Sequence, residues 1–247
     1  MKILVTGAGG FIGRHMVSAL QDRKGITVYQ CFHDTGKEEL EAYLSCCDFL
    51  YHLAGVNRSE RMEDFTTGNE LFTEELVKSL QKHQNRCPIL YASSIHALLE
   101  TPYGKSKRKA EEILKAHESR ESSRVYIYRL PNLFGSGARP NYNSVIATFC
   151  YNLVRGLPIT VHDRNTILSL SYIEDVMREF IGALTGEGIQ GEGGYYNIPK
   201  IYRVTLGEIA DTLYTFVKQE VRQEELTNFQ RDLYNTFESY KREACVN

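Results

Sequence analysis

The sequence contains no apolar run long enough to cross a membrane, since a spanning helix needs roughly 20 consecutive apolar residues. Its first residues show a strand pattern instead of the charged and apolar segments of a signal peptide. The net charge is only −2, so no strong attraction to nucleic acid or to an anionic membrane is expected. We therefore expect a cytoplasmic protein with neither a membrane nor a nucleic-acid partner.

Metal-ligand spacing is missing as well. The six cysteines form neither a Cys-x-x-Cys motif nor a Cys/His ligand pattern. We expect reduced cysteines that mostly pack in the interior, and no metal site. They are Cys31, Cys46, Cys47, Cys87, Cys150 and Cys245.

The chain of 247 residues, 42% hydrophobic and 24% charged, suits one large α/β domain. Apolar strand patterns alternate with helical stripes at a pitch typical of βαβ units. This alternation predicts a Rossmann-like, doubly wound parallel sheet over residues 1–130. The predicted strands lie at 3–5, 26–32, 48–52, 88–92 and 124–130, and the predicted helices at 11–20, 37–44, 69–84 and 103–120.

The pattern changes after residue 130, and residues 131–247 are predicted to combine the remaining sheet strands with a small substrate-binding lobe. No linker separates the two parts, so the position of this boundary is approximate. Thr205 and Glu208 have the spacing of a capping box for a helix from Leu206 onward. Further helices are predicted at 145–153, 174–184 and 222–241, and short strands at 159–161, 167–172 and 195–198.

Three glycines lie between the first strand and the first helix. Gly7 permits the tight turn, Gly10 lets the backbone approach a pyrophosphate, and Gly13 lets the helix pack close to the strand. The N–H groups of the helix start, at Phe11 and Ile12, would then face the phosphates. A glycine-rich turn without a ligand is the alternative.

The second strand would end beside the adenosine ribose. Arg14 and His33 favour the 2′-phosphate of NADP, whereas Asp34 leaves NAD possible. For Arg14 the alternative is an ordinary surface charge. Small residues after the third strand would let the cofactor lie across the strand end, and the segment concerned is Leu53, Ala54 and Gly55.

A Tyr-x-x-x-Lys pattern opens the helix that follows the fourth strand. The spacing places Tyr103 and Lys107 one turn apart on one helix face. An ammonium group nearby would lower the tyrosine pKa and allow proton exchange with a carbonyl or an alcohol. Ser94, just after the fourth strand, would hold the same oxygen, while the nicotinamide carries the hydride. The alternative is an exposed helix start without chemistry.

Several motifs together resemble those of the extended short-chain dehydrogenase/reductases that act on nucleotide sugars. They are TGAGGFIG, HLAG, RLPNLFG and the set Ser94, Tyr103 and Lys107. Longer segments are similar to one branch, the capsular and O-antigen C4-reductases of UDP-N-acetyl-L-fucosamine synthesis. These segments are TPYGKSK, VYIYRLPNLFG, RPNYNSVIATFCYN and VTLGEI.

The resemblance implies reduction, with NADPH, of the 4-keto group of a UDP-2-acetamido-2,6-dideoxy-hexos-4-ulose. Tyr103 would be the proton donor, and Lys107 would bond the nicotinamide ribose. Leu130 and Asn132 would lie near the nicotinamide. It also implies a homodimer.

Polar residues after the fifth strand are candidates for holding the UDP-sugar. Many extended members carry an arginine near the position of Leu168, which is apolar here. Arg139 or Arg164 would have to pair with the diphosphate instead. The candidate substrate residues are Ser94, Asn132, Arg139, Asn141 and Asn143, with Tyr142 beside them. For the loop residues, ordinary surface polarity is the alternative.

Two features depart from the wider family. Ser94 and Tyr103 are nine positions apart, a shortening that the branch shares. The branch also carries a cupin-type C3-epimerase domain, and this sequence ends near where that domain would begin. Either the reductase depends on a separate epimerase, or the natural protein is bifunctional.

Two other functions compete with the reductase. One is a UDP-sugar epimerase or dehydratase of the same family. Ile95, His96 and Ala97 follow Ser94 in place of the Asp-Glu pair of dehydratases, which argues against dehydration. The other is a non-catalytic dinucleotide-binding regulator on the same fold.

Overall fold

The computed structural model describes residues 1–218 and 221–246, the last of these by its backbone alone. Its described residues form two compact units: Met1–Leu130 with Met177–Ile198, and Pro131–Val176 with Pro199–Asn247. Residues 177–198, which the sequence analysis grouped with the rest of 131–247, belong to the first unit.

The first unit is built on a parallel sheet of five strands in the order β2-β1-β3-β4-β5. Ile3, Leu4 and Val5 are completely buried because both faces of the sheet are covered, as their apolar run predicts. The strands are β1 (Lys2–Thr6), β2 (Thr27–Cys31), β3 (Phe49–His52), β4 (Ile89–Ser94) and β5 (Val125–Leu130).

Helices connect these strands. The helix after β4 begins at Pro102, with Thr101 as its N-cap, because the Thr101 hydroxyl accepts a hydrogen bond from Gly104 N. The helices are α1 (Phe11–Gln21), α2 (Lys37–Cys46), α3 (Met62–Phe65), α4 (Phe72–Lys82) and α5 (Pro102–Glu121), with a π-helical turn at Thr66–Leu71 and a 3₁₀ turn at Ile95–Leu98. The predicted Rossmann-like fold is confirmed.

Residues 177–198 pack on the sheet of the first unit. The Tyr51 hydroxyl donates to Phe180 O at 2.7 Å, and the Tyr128 hydroxyl donates to Glu179 at 2.9 Å. Both tyrosines are fully buried, so these bonds satisfy hydroxyls that would otherwise be costly to bury.

The second unit contains a three-stranded sheet in which β6 and β7 are parallel and β7 and β8 antiparallel. The predicted capping box is present, because Thr205 and Glu208 exchange side-chain and backbone hydrogen bonds. The elements introduced after β5 are β6 (Asn132–Phe134), α6 (Val145–Leu153), β7 (Ile167–Tyr172), α7 (Ile173–Gly182), β8 (Tyr202–Thr205), α8 (Leu206–Val217) and α9 (Asn228–Val246).

Short elements account for the differences from the predicted pattern. Residues 159–161 form no strand, because no described strand pairs with this β-branched run. The predicted strand 195–198 is reduced to bridges made by Tyr196. The predicted helix 222–241 begins only at Asn228. Strands β6 and β8 were not predicted.

Candidate active site

The turn between β1 and α1 requires glycine at two of its three predicted positions. Gly7 has a φ of +68°, and a Cβ there would lie 2.7 Å from the Ala54 backbone. A Cβ on Gly13 would lie 2.0 Å from Gly7 O. Gly10 N donates to Gly7 O at 2.9 Å and closes the turn. The glycines therefore permit close packing of this turn against α1 and the end of β3.

The start of α1 has the geometry of an anion site. Gly10 is the N-cap and, among the described residues, no side chain caps this terminus. The N–H groups at Phe11 and Ile12 therefore belong to the first turn, where helical N–H groups find no backbone partner. Gly9 and Gly10 are exposed. This terminus fits a pyrophosphate group.

Arg14 and the end of β2 flank the turn. The Arg14 guanidinium donates to Gly9 O at 2.6 Å, and His33 and Asp34 are exposed. A Cβ on Gly9 would lie 3.4 Å from the Phe32 ring. Phe32, 45% exposed beside the glycine turn, is an aromatic surface that the sequence analysis missed, although its position at a strand end was a usable signal.

Ser94 and Tyr103 come together although nine positions separate them. Ser94 is the last residue of β4, and its hydroxyl accepts from His96 N at 3.2 Å. Tyr103 lies in the first turn of α5, close enough to Ser94 for the Ser94 side chain to lower the Tyr103 pKa. The ring of Phe65 lies 6.0 Å from the Tyr103 ring, centroid to centroid.

Lys107 is buried one turn further along α5, with 4% of its surface exposed. Its Nζ donates to Ala92 O at 2.7 Å and lies 4.2 Å from the centre of the Tyr91 ring. Burial lowers the pKa of Lys107 to about 7, and the charge of Glu111 opposes this shift. The ammonium is therefore readily lost near neutral pH.

The pKa of Tyr103 differs from the expectation. The sequence analysis predicted that Lys107 would lower it, but burial raises the pKa of Tyr103, and the nearby Ser94 side chain only partly opposes this. The prediction is wrong for the protein alone, because Lys107 is itself buried and directed at Ala92 O. The phenol is therefore held in its protonated form at neutral pH.

The loop after β3 connects the glycine turn with Lys107. Leu53 and Ala54 pack against Gly7, and a Cβ on Gly55 would lie 3.6 Å from Lys107 Nζ. The first unit therefore brings the predicted phosphate turn and the predicted proton-transfer residues to one region. Leu130, another predicted cofactor neighbour, is the buried last residue of β5.

Asn69, which the sequence analysis did not single out, fixes this loop from the π-helical turn. Its side-chain amide exchanges two hydrogen bonds of 2.9 Å with the Val56 backbone and donates a third, also 2.9 Å, to the Ser106 hydroxyl. A single asparagine in a helical pattern gives no sequence signal for such a role.

The predicted substrate residues of the second unit are exposed. Asn132 donates to Ser169 O at 3.5 Å, and Arg139 lies over the Tyr142 ring at 5.3 Å. Asn141 has a φ of +54° and Asn143 follows it in the same loop. Their part in a site with Ser94 stays a prediction. Arg164, the other candidate for the diphosphate, forms an ion pair with Asp211 at 2.6 Å.

A metal site and a membrane span were both predicted to be absent. Within residues 1–218 and 221–246, no group of three or more His, Cys, Asp or Glu side chains is arranged to hold a metal ion. No helix in that part of the chain has the length and apolar character needed to cross a membrane.

A parallel sheet with a glycine turn before its first helix defines the Rossmann-like class of α/β proteins. The chain belongs to the NAD dependent epimerase/dehydratase family, which it matches over residues 3–198.

Two relatives share 40% of their aligned residues with this chain over most of its length. A UDP-2-acetamido-2,6-beta-L-arabino-hexul-4-ose reductase of Pseudomonas aeruginosa is 40% identical over 216 residues, which cover 87% of this chain and 58% of the relative. The structure of the capsular polysaccharide assembling protein CapF from Staphylococcus aureus has 40% identity and a TM-score of 0.87, and the match covers 97% of this chain and 66% of CapF. The chain therefore spans less than two thirds of either relative.

A third match shows the fold alone. The UDP-glucuronic acid 4-epimerase from Bacillus cereus, solved in complex with NAD, has 20% identity and a TM-score of 0.82, with 98% of this chain and 99% of the epimerase covered.

Proposed function

We propose that this protein is a reductase of the 4-keto group of a UDP-linked 2-acetamido-2,6-dideoxy-hexos-4-ulose, with NADPH as reductant, in the synthesis of capsule-type nucleotide sugars. The observation that carries the proposal is the placement of Ser94 beside Tyr103, with Lys107 one turn further along the same helix. The 40% identity with the P. aeruginosa reductase supports the substrate class.

The residues present fit a nicotinamide dinucleotide. The exposed Gly9-Gly10 backbone and the first turn of α1 would hold its pyrophosphate. Lys107 would hydrogen-bond the nicotinamide ribose. When bound, the reduced cofactor supplies the hydride.

Tyr103 would act as the general acid. Reduction of a ketone adds hydride to carbon and a proton to oxygen, and the Tyr103 hydroxyl would give that proton. Burial raises the pKa of Tyr103, so the acid form that reduction needs is fully populated at neutral pH. The resulting phenolate would be reprotonated from solvent.

Ser94 would orient the carbonyl. Ser94 lies beside Tyr103, so a ketone oxygen between their two hydroxyls would accept a hydrogen bond from each. Asn132, Arg139, Asn141 and Asn143 are proposed to hold the UDP-sugar, with Arg139 as the cation for its diphosphate.

The preference for NADPH over NADH rests on two basic residues. Arg14 lies against Gly9, and His33 is exposed at the end of β2, where a 2′-phosphate would lie. Asp34 is the residue that would favour NADH. A homodimer in the cytoplasm remains the predicted state of the enzyme.

The test follows NADPH oxidation by its near-ultraviolet absorbance with candidate UDP-4-keto sugars, with and without an added C3-epimerase. We expect turnover with the 4-keto sugar that has the correct C3 and C5 configuration and almost none with Tyr103→Phe. Folded protein that binds NADPH but reduces none of the 4-keto sugars would contradict the proposal. Purification with tightly bound NAD and sugar interconversion without net oxidation would indicate an epimerase.

A further inference from the structure

Glu111 is a buried carboxylate that the mechanism above does not use. It lies on α5 one turn beyond Lys107 and is 2% exposed. Its two oxygens accept hydrogen bonds from donors on three other segments of the first unit: the Ser93 hydroxyl, Arg129 Nε at 3.0 Å and Nη2 at 2.6 Å, and the Tyr195 hydroxyl at 3.1 Å. An ionised carboxylate only accepts hydrogen bonds, so this set of donors matches its charged form.

These bonds fix the strand end on which the proposed site depends. Ser93 lies between Ala92, whose carbonyl accepts the hydrogen bond of Lys107, and Ser94. The bond from Ser93 to Glu111 therefore ties this part of β4 to the helix that carries Lys107.

The surroundings of Lys107 contain mostly uncharged groups. From β4 the Tyr91 ring covers Nζ at 4.2 Å, and from β3 comes His52, which is buried and whose pKa is lowered to about 3 by burial, so it is neutral. Tyr103 is protonated one turn earlier on α5. Glu111, buried four positions further along the same face of α5, is then the neighbouring anion, and Arg129 is the cation paired with it.

We propose that Glu111 is a positioning residue, which keeps Lys107 charged inside the protein and holds the end of β4 that carries Ala92 and Ser94. The role given to Lys107 rests on the proposed function, but the coupling between Glu111 and Lys107 does not.

Charge supports this assignment. Burial alone lowers the pKa of Lys107, and the interaction with Glu111 raises it. Loss of the carboxylate charge should release the ammonium proton at lower pH, and the unpaired Arg129 guanidinium would add to that effect.

The test compares the direction in which two variants shift the titration midpoint of Lys107. The protonation of Lys107 is followed directly by the carbon-13 shift of its Cε in lysine-labelled protein, with the signal assigned through Lys107→Met. We expect Glu111→Gln to lower the titration midpoint by about one pH unit or more, and Arg129→Gln to raise it, since the carboxylate then loses its counter-ion. Ser93→Ala changes no charge and should leave the midpoint unmoved.

Activity provides a second readout. In Glu111→Gln the alkaline limb of the kcat/KM profile for ketone reduction should move by the same interval, so that activity at pH 8 falls about tenfold and partly returns at pH 6. A purely structural role would lower the profile at every pH without moving the limb.

Glu111→Gln leaves the partly buried Arg129 guanidinium without its ion-pair partner, which can impair folding. The double variant Glu111→Gln/Arg129→Met is therefore measured as well. It carries neither charge, and its midpoint should lie between those of Glu111→Gln and the natural protein. The proposal is overturned when Glu111→Gln and Arg129→Gln move the midpoint in the same direction, or when the double variant titrates like the natural protein. Midpoints that move as expected in a protein without reductase activity would retain the coupling and reject the proposed function.

Discussion

Replacement of Lys107 by methionine should stabilise the protein while abolishing its activity. The ordinary lysine pKa of 10.5 falls to about 7 in the folded protein. A pKa change of one corresponds to about 1.4 kcal/mol, so the buried ammonium lowers the free energy of unfolding by about 5 kcal/mol at most. Methionine removes that cost and keeps most of the side-chain volume.

Part of this gain is offset. The variant loses the hydrogen bond from Lys107 to Ala92 O and the contact with the Tyr91 ring, together worth about 2 to 3 kcal/mol. The net increase in the free energy of unfolding should therefore be about 2 kcal/mol at neutral pH. For a chain of this size this corresponds to a rise in Tm of about 4 to 8 °C.

The gain should depend on pH in a defined direction. Because the folded pKa is depressed, the natural protein binds fewer protons folded than unfolded between pH 7 and 10.5, and its stability rises with pH in that window. The advantage of Lys107→Met is thus complete below pH 7 and declines towards pH 10.5.

Urea unfolding at several pH values measures this difference. Lys109→Met is the matched control, because Lys109 lies on the same helix, is 59% exposed and pairs with Glu112 at the surface. It should change stability by no more than about 0.5 kcal/mol at any pH. A Lys107→Met variant less stable than the natural protein at pH 7, or a gain that does not vary with pH, would refute the reasoning.

Three further predictions concern the proton donor, the glycine turn and the cofactor. Tyr103→Phe should leave NADPH binding, measured by fluorescence titration, nearly unchanged and reduce kcat by about two to four orders of magnitude; an unaltered kcat would remove Tyr103 from the mechanism. Gly13→Ala should destabilise the fold by several kcal/mol, because its Cβ would lie 2.0 Å from Gly7 O. Gly36→Ala is the control: no atom lies within 4 Å and only the N-cap of α2 changes, so urea unfolding should show a loss of no more than about 1 kcal/mol. Arg14→Ala should weaken NADPH binding about tenfold and NADH binding little, and an equal loss for both would reject its role at the 2′-phosphate.

Local patterns predicted the parts of the fold that depend on neighbouring residues. The run from Ile3 to Val5, the glycines after it and the stripe of α1 together place a strand, a turn and a helix. The strand predicted at 159–161 is absent because β-branched residues form a strand only beside a partner strand. Whether a partner strand is available depends on the whole fold. For the same reason β6 and β8 were not predicted, since their pairing with β7 has no local sequence signal.

The sequence predicted where the candidate residues lie on the helix, but not the pKa values of their side chains. Spacing placed Tyr103 and Lys107 on one face of α5, but the pKa of Tyr103 depends on its burial. The rings of Phe65 and His96 lie 6.0 and 5.9 Å from its ring, centroid to centroid. Phe65 ends α3 and His96 lies in the turn after β4, so this enclosure depends on segments outside α5. The expectation of a lowered pKa counted the nearby charge and omitted desolvation, which is the larger effect here.

The buried face of α5 carries charged side chains where apolar ones would be expected. Tyr103, Lys107 and Glu111 follow one another at intervals of four, and Lys107 and Glu111 lie on the same inward side as Ala110 and Leu114. An amphipathic helix places apolar residues there, since a buried charge needs a partner. A lysine and a glutamate in that stripe, each satisfied by β4, have no advantage for packing over two leucines. Their presence at those positions favours the proposed proton transfer next to Tyr103 over a role in the stability of the sheet alone.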